Sequence, residues 1–266
     1  MNKQILLIVL VFSSGYIGND VMKELNLSVI NNAHGAGSDK ALAARIEGQL
    51  QTTGRDQYDA VKDLGRKPVA FMQFSGVKAG MTVLDVIAGA GYNTGILSAA
   101  VGPDGIVYAQ NSHFILRLID GAHHKAMLGR VNDDRLPNVR YMVMDPEDMP
   151  FREAIDMAFW GFNIHDAYNS KGEAEALLFL HSIKQALKPG AILIVSDHIG
   201  DAGNDNAELH RIEPRIILEM LEKAGFAIDA TSDLLANPND DHTQSIYADE
   251  LRYHTDRILV RARKPE

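Results

Sequence analysis

Short apolar runs, closed by glycine or polar residues, alternate along most of this chain with stretches whose apolar positions recur at helical spacing. The first clear run is Val83, Leu84, Val86 and Ile87. Continuous apolar character over so few residues predicts a strand buried on both faces. From Tyr92 onward Ile96, Leu97 and Val101 recur at the helical period, which predicts a helix. The same reading places strands at 105–109, 138–144, 155–162, 191–196, 227–232 and 257–263, and helices at 113–131, 173–187 and 209–224. Upstream, three helices are predicted at 38–54, 55–64 and 68–74. Ser38 or Asp39 caps the first, Gly65 stops the second and Pro68 opens the third. The polar stretch 237–243 reads as a loop. Alternating strands and helices require right-handed crossovers. The expected fold is therefore α/β, a doubly wound, mostly parallel, seven-stranded sheet over 77–266. An N-terminal helical extension over 21–76 either closes on the ligand crevice as a lid or packs as a plain support.

The Val83 run ends in Gly89 and Gly91, just before the helix that starts at Tyr92. Strand, glycine turn and helix N-terminus form the nucleotide-cradling unit of Rossmann-like sheets, whose ligands sit at the carboxyl ends of the strands. Asp85 lies four residues before Gly89. A carboxylate there repels a pyrophosphate and suits a cationic ligand. The spacing D-x-x-x-G-x-G resembles motif I of class I S-adenosylmethionine-dependent methyltransferases. That resemblance implies the class I methyltransferase fold and S-adenosylmethionine as cofactor, held by Asp85, Gly89, Gly91 and Tyr92.

Other strand ends converge on the same crevice: Gln110 with Asn111, Asp145, Asn163 through Asp166, and Asp197 with His198. In this family the second strand ends in an acid for the ribose; here the neutral amides of Gln110 and Asn111 stand in that place. Asp145 resembles the family's adenine-binding acid, or else caps the turn into Glu147. Asn163 completes the cofactor set. Ile164-His165-Asp166 resembles the His-Asp-Trp segment of small-molecule O-methyltransferases, with Ala167 in place of the tryptophan. The resemblance implies His165 as catalytic base, oriented by Asp166; the alternative is a histidine that caps the next helix. His198 is the next candidate base.

A metal-dependent variant, with Asp197 as one ligand, needs a carboxylate ending the fourth strand. This chain has Gly161 there, so no metal is expected. Asp240, Asp241, His242 and His254 read as a solvated loop. Thr94 stands where a dinucleotide fingerprint has its third glycine, which counts against a nicotinamide-dependent oxidoreductase. A non-catalytic ligand-binding protein of the same fold is the other alternative.

The formal net charge of -9 over 266 residues argues against nucleic acid as a partner and leaves a small-molecule acceptor. The chain has no cysteine, which excludes disulfides, thiolate metal sites and a cysteine nucleophile. Lys3, the apolar run 5–12 and Ser13-Ser14-Gly15 predict a signal peptide over 1–20 and a periplasmic protein, with no stable membrane span. The segments FSGVKAGMTV, VYAQN and TDRILVRARKP resemble a group of exported bacterial predicted methyltransferases, over roughly residues 52–265.

Overall fold

A computed structural model describes residues 36–266 apart from 54 and 133. The expected signal peptide lies outside the described residues. Seven strands form one sheet: β1 (Thr82–Val86), β2 (Ile106–Asn111), β3 (Val139–Val143), β4 (Ile155–Gly161), β5 (Leu187–His198), β6 (Ala227–Ser232) and β7 (Arg257–Arg263). Their order is β3-β2-β1-β4-β5-β7-β6, with β7 antiparallel to both neighbours and the pairs from β3 to β5 parallel. The order reverses beside β1, between β1 and β4. That is the switch point at which such sheets bind ligands.

The sheet buries both faces, as its apolar runs require. Successive side chains of a strand point to opposite sides. Along β1, Leu84 and Val86 join one core cluster with Trp160, Leu180 and Ile217, while Val83 joins another with Ile46, Phe71, Leu97 and Phe159. Helices α1 (Ala36–Leu50) and α3 (Pro68–Ser75) supply Ile46 and Phe71 to this second cluster. Arg45 of α1 also donates to the Ala99 and Ala100 carbonyls at the end of α4 (Tyr92–Val101), groups left without an intrahelical partner. Two of the three N-terminal helices are therefore packing elements. The third, α2 (Asp59–Arg66), reaches over the glycine turn.

Two predicted helices differ from expectation. The 113–131 helix is broken into α5 (His113–Arg117) and α6 (Ala122–Val131), because Ile119, Asp120 and Gly121 all take positive φ between them. The 209–224 helix shrinks to α9 (Pro214–Lys223), since the residue before proline is held extended; Glu213 has ψ 132°. Between these, α7 (Ile164–Lys171) and α8 (Glu173–Ala186) follow β4. Lys188, Pro189 and Gly190, just past the predicted 173–187 helix, belong to β5, which pairs irregularly with β4 between Ile155 and Met157. Among the described residues no helix is long and apolar enough to cross a membrane.

Candidate functional site

The crevice at the switch point has two halves. One is the turn after β1 with the ends of β2 and β3. The other is built on the ends of β4 and β5.

In the first half Asp85 is 1% exposed and its carboxylate accepts a 2.6 Å hydrogen bond from Thr94 Oγ1. Burial pushes its pKa up to about 7, against the Thr94 bond and the Arg66 charge, which pull it down. The backbone then turns left-handed at Ile87 (φ 50°) and again at Gly89 and Gly91. A β-branched residue there is strained, and such strain concentrates at functional turns. Gly91 is obligatory for a second reason. A Cβ on it would lie 2.8 Å from Met127 Sδ and 3.0 Å from Arg130 Cδ, both on α6.

Gln110 and Asn111 sit where ribose ligands were expected, but both are fully buried with their amides spent on main chain. Gln110 Oε1 accepts from Ile87 N–H, and its Nε2 donates to the Met144 carbonyl. Asn111 both accepts from Gly89 N–H (2.8 Å) and donates to Gly89 O (2.9 Å). Buried backbone groups of a strained turn must find partners, and these amides supply them. Their place in this structure is behind the turn, holding its shape. Asp145 is the open acid of this half. It is 40% exposed, and its Oδ1 accepts from His113 N–H at the start of α5 rather than capping the turn into Glu147.

Helix α2 lies across the turn. Asp59 takes two hydrogen bonds from Arg130, whose Nε also donates to Ala90 O. Tyr92 Oη donates to Asp63 at 2.7 Å. The Arg66 guanidinium stacks between Tyr92 and Phe162, 4.7 and 4.5 Å from the ring centroids. The corner thus holds a cation between two aromatic faces, within the field of Asp85. The cavity lined by Arg66, Phe71, Tyr92 and Phe162 measures about 10 Å³, room for roughly one water. Arg66 and Arg130 were not foreseen from sequence. The signal for them was weak, since each lies on a helix with no motif of its own.

In the second half Asn163 follows β4 and donates to Gly161 O at 2.6 Å. His165 opens α7 and is 2% exposed. Its Nδ1 lies 2.7 Å from Asp197 Oδ1, and its backbone N–H donates to Asp197 Oδ2. Its Nε2 lies 3.2 Å from Asp166 Oδ1, without the alignment of a hydrogen bond. Burial alone would lower the His165 pKa. The Asp197 and Asp166 carboxylates outweigh it and raise the value to about 10. A histidine so held is not the free base that an isolated imidazole near 6.5 would be. His198 is held the other way, well below its ordinary value by burial and by the neighbouring His165, Arg257, Arg66 and Arg211. Its Nδ1 lies 2.6 Å from Thr255 Oγ1.

His210, absent from the expected site, brings Nδ1 to 3.3 Å from Asp166 Oδ1. Asp197 is occupied by His165 and by the His198 N–H, so its carboxylate is not free to ligate a metal. The 237–243 loop is solvated as expected at Asp241, but not at Asp240 and His242. Asp240 is 5% exposed and takes two hydrogen bonds from the fully buried Arg211, and His242 lies 3.0 Å from both Asp201 and Asp256.

No protein-family model matches the chain. The sequence is similar to the ubiquinone/menaquinone biosynthesis C-methyltransferase UbiE of Idiomarina loihiensis, 28% identical over 194 residues. That match spans 71% of this chain and 66% of the relative, just under two thirds of its length. Among solved structures, the chain resembles a SAM-dependent methyltransferase from Aquifex aeolicus (TM-score 0.56, 23% identity, 84% of this chain and 98% of the other). It also resembles the [4+2]-cyclase SpnF (TM-score 0.53, 18% identity, 90% and 98% covered). The chain has the class I methyltransferase fold.

Proposed function

We propose that this chain is an S-adenosylmethionine-dependent methyltransferase acting on a small molecule. The observation that carries the proposal is the corner between β1 and β4, where a buried carboxyl, two left-handed glycines and an aromatic pair already hold a guanidinium. A sulfonium ligand asks for the same chemistry, and the relative's name and the fold point the same way. Asp85, the Gly89–Gly91 main chain, Asp145 and Asn163 would hold the cofactor, with Gln110 and Asn111 fixing the turn from behind. The bound cofactor supplies an electrophilic methyl on a good leaving group, so the protein's part is alignment and exclusion of water. Helix α2 is tied across the glycine turn through Asp59–Arg130 and Asp63–Tyr92, so its movement would open the crevice to the ligand.

The acceptor meets the β4–β5 half. Its class is an electron-rich, hydroxyl-bearing small molecule, in line with the quinone chemistry named for the relative. His165 as a free base is not part of the proposal, since its two ring nitrogens face carboxylates. Transfer of a tritiated methyl group to phenols, catechols and quinols tests the reading. Incorporation that depends on Asp145 supports it. A protein that binds S-adenosylhomocysteine but labels no acceptor fits the non-catalytic alternative, and the SpnF likeness is a reminder that fold does not dictate reaction.

We also propose export, on the charged start and apolar run of residues 1–20. N-terminal sequencing from the native host should find a chain beginning between about residues 15 and 20; an intact Met1 would discard the idea.

A further inference from the structure

We propose that His165, Asp166 and His210 form a binding site for a divalent transition-metal ion, zinc foremost, at the acceptor end of the crevice. One nitrogen from each histidine and one carboxylate oxygen lie within 4.8 Å of one another. Asp166 Oδ1 is 3.2 Å from His165 Nε2 and 3.3 Å from His210 Nδ1. Two ligand atoms, each about 2.1 Å from a shared tetrahedral zinc, are separated by about 3.4 Å, so these spacings are already close to those of ligands around one ion.

A second observation is independent of the clustering. His165 Nε2 is buried and has no hydrogen-bond partner, although a carboxylate oxygen stands 3.2 Å away. An ordinary ion pair would turn the N–H onto that oxygen. Here the ring cannot turn, because Nδ1 and the backbone N–H of the same residue are both fixed by Asp197. A carboxylate on one imidazole nitrogen, with the other nitrogen left to a metal, is the usual outer support of a histidine ligand. Asp197 is itself fully buried and also accepts the His198 N–H, so the support is rigid.

His210 is presented with similar care. Its backbone is left-handed (φ 55°), a strained state that persists only where the surroundings impose it. The next residue, Arg211, imposes it: fully buried, it is bound to Ile199 O, Gln244 O and the Asp240 carboxylate. The His210 ring then meets His165 edge-on, with centroids 5.7 Å apart. Two imidazoles and one carboxylate suit zinc better than magnesium or calcium, which prefer all-oxygen sites. Asp166 is 53% and His210 38% exposed, so the ion has an entry path and an open position for water or an acceptor hydroxyl. An ion there would acidify a bound hydroxyl as a Lewis acid. That role rests on the methyltransferase reading; the metal site does not.

The full chain, stripped of metal by chelator, is titrated with zinc by calorimetry and with cobalt by visible absorption. The expected result is one equivalent of zinc and the visible bands of a low-coordinate cobalt site. Asp166→Asn and His210→Gly, the second chosen because glycine accepts the left-handed backbone, should each weaken zinc by at least about 100-fold. Both sites are exposed enough for the variants to stay folded, which circular dichroism checks. Absence of stoichiometric binding, or affinity unchanged in both variants, overturns the site. S-adenosylhomocysteine is titrated into the same samples. Zinc binding without it rejects the methyltransferase reading alone; its binding without zinc rejects the metal site alone.

Discussion

The two halves of the crevice use their polar residues in opposite ways. Around the turn, Gln110, Asn111 and Thr94 give their side chains to main chain or to a buried carboxyl, all within the strand–turn–helix unit and its neighbour β2. At β4 and β5, charged groups meet other charged groups brought from 165–166, 197 and 210. The first half is a rigid mould whose shape depends on satisfied hydrogen bonds. The second is a set of ionisable groups whose arrangement is dictated by loops. Substitutions in the mould should therefore act on folding, and substitutions in the cluster on chemistry.

The largest expected effect is at Asp85. Its folded-state pKa is raised to about 7, so the stability it contributes is fully present below its unfolded value and lost as pH rises through 7. A shift of roughly three units corresponds to about 4 kcal/mol. In urea unfolding, wild type should lose stability relative to Asp85→Asn between pH 4 and pH 8, by up to that amount. Parallel pH profiles for the two proteins would show that the buried carboxyl is not the source.

Next comes a direct contrast between the halves. Asn111→Ala leaves the half-buried Gly89 N–H and O without their side-chain partners and should cost about 1–3 kcal/mol. Asp166→Asn, half-exposed, should cost under about 1 kcal/mol. Equal losses by denaturant titration would erase the distinction between mould and cluster.

The smallest effect concerns helix α2. Tyr92→Phe removes the bond to Asp63 and should favour opening of α2 by about 1 kcal/mol. Hydrogen exchange should then speed up roughly fivefold in Asp59–Arg66 amides and stay unchanged in β1 and β4. Uniform acceleration across the sheet would mean that Tyr92 acts on the core and not on α2.

Much of the mould was legible in the sequence. The apolar run at Val83, the glycines and the helical spacing after Tyr92 are local signals, and all seven strands followed from such periodicity. Pro68 likewise marked the start of α3. The amides were legible in position but not in role, because nothing in the sequence says that a strained turn at Ile87 will claim them. Helix 113–131 hid its break at Ile119 and Asp120, since two non-glycine residues with positive φ leave little compositional trace. The cluster was least legible. His210 stands 44 residues from Asp166, and only a left-handed turn pinned by a buried arginine joins them.

The central claim is that the corner between β1 and β4 is built for a cationic adenosyl cofactor. Calorimetric titration of the purified chain with S-adenosylhomocysteine, S-adenosylmethionine and NAD tests it most directly. The account predicts a single site for both sulfur-containing ligands, with the sulfonium form losing about 1–3 kcal/mol in Asp85→Asn as its charge-assisted contact is removed, and no binding of NAD. Binding of NAD, or no binding of either adenosyl ligand by a folded protein, would contradict it.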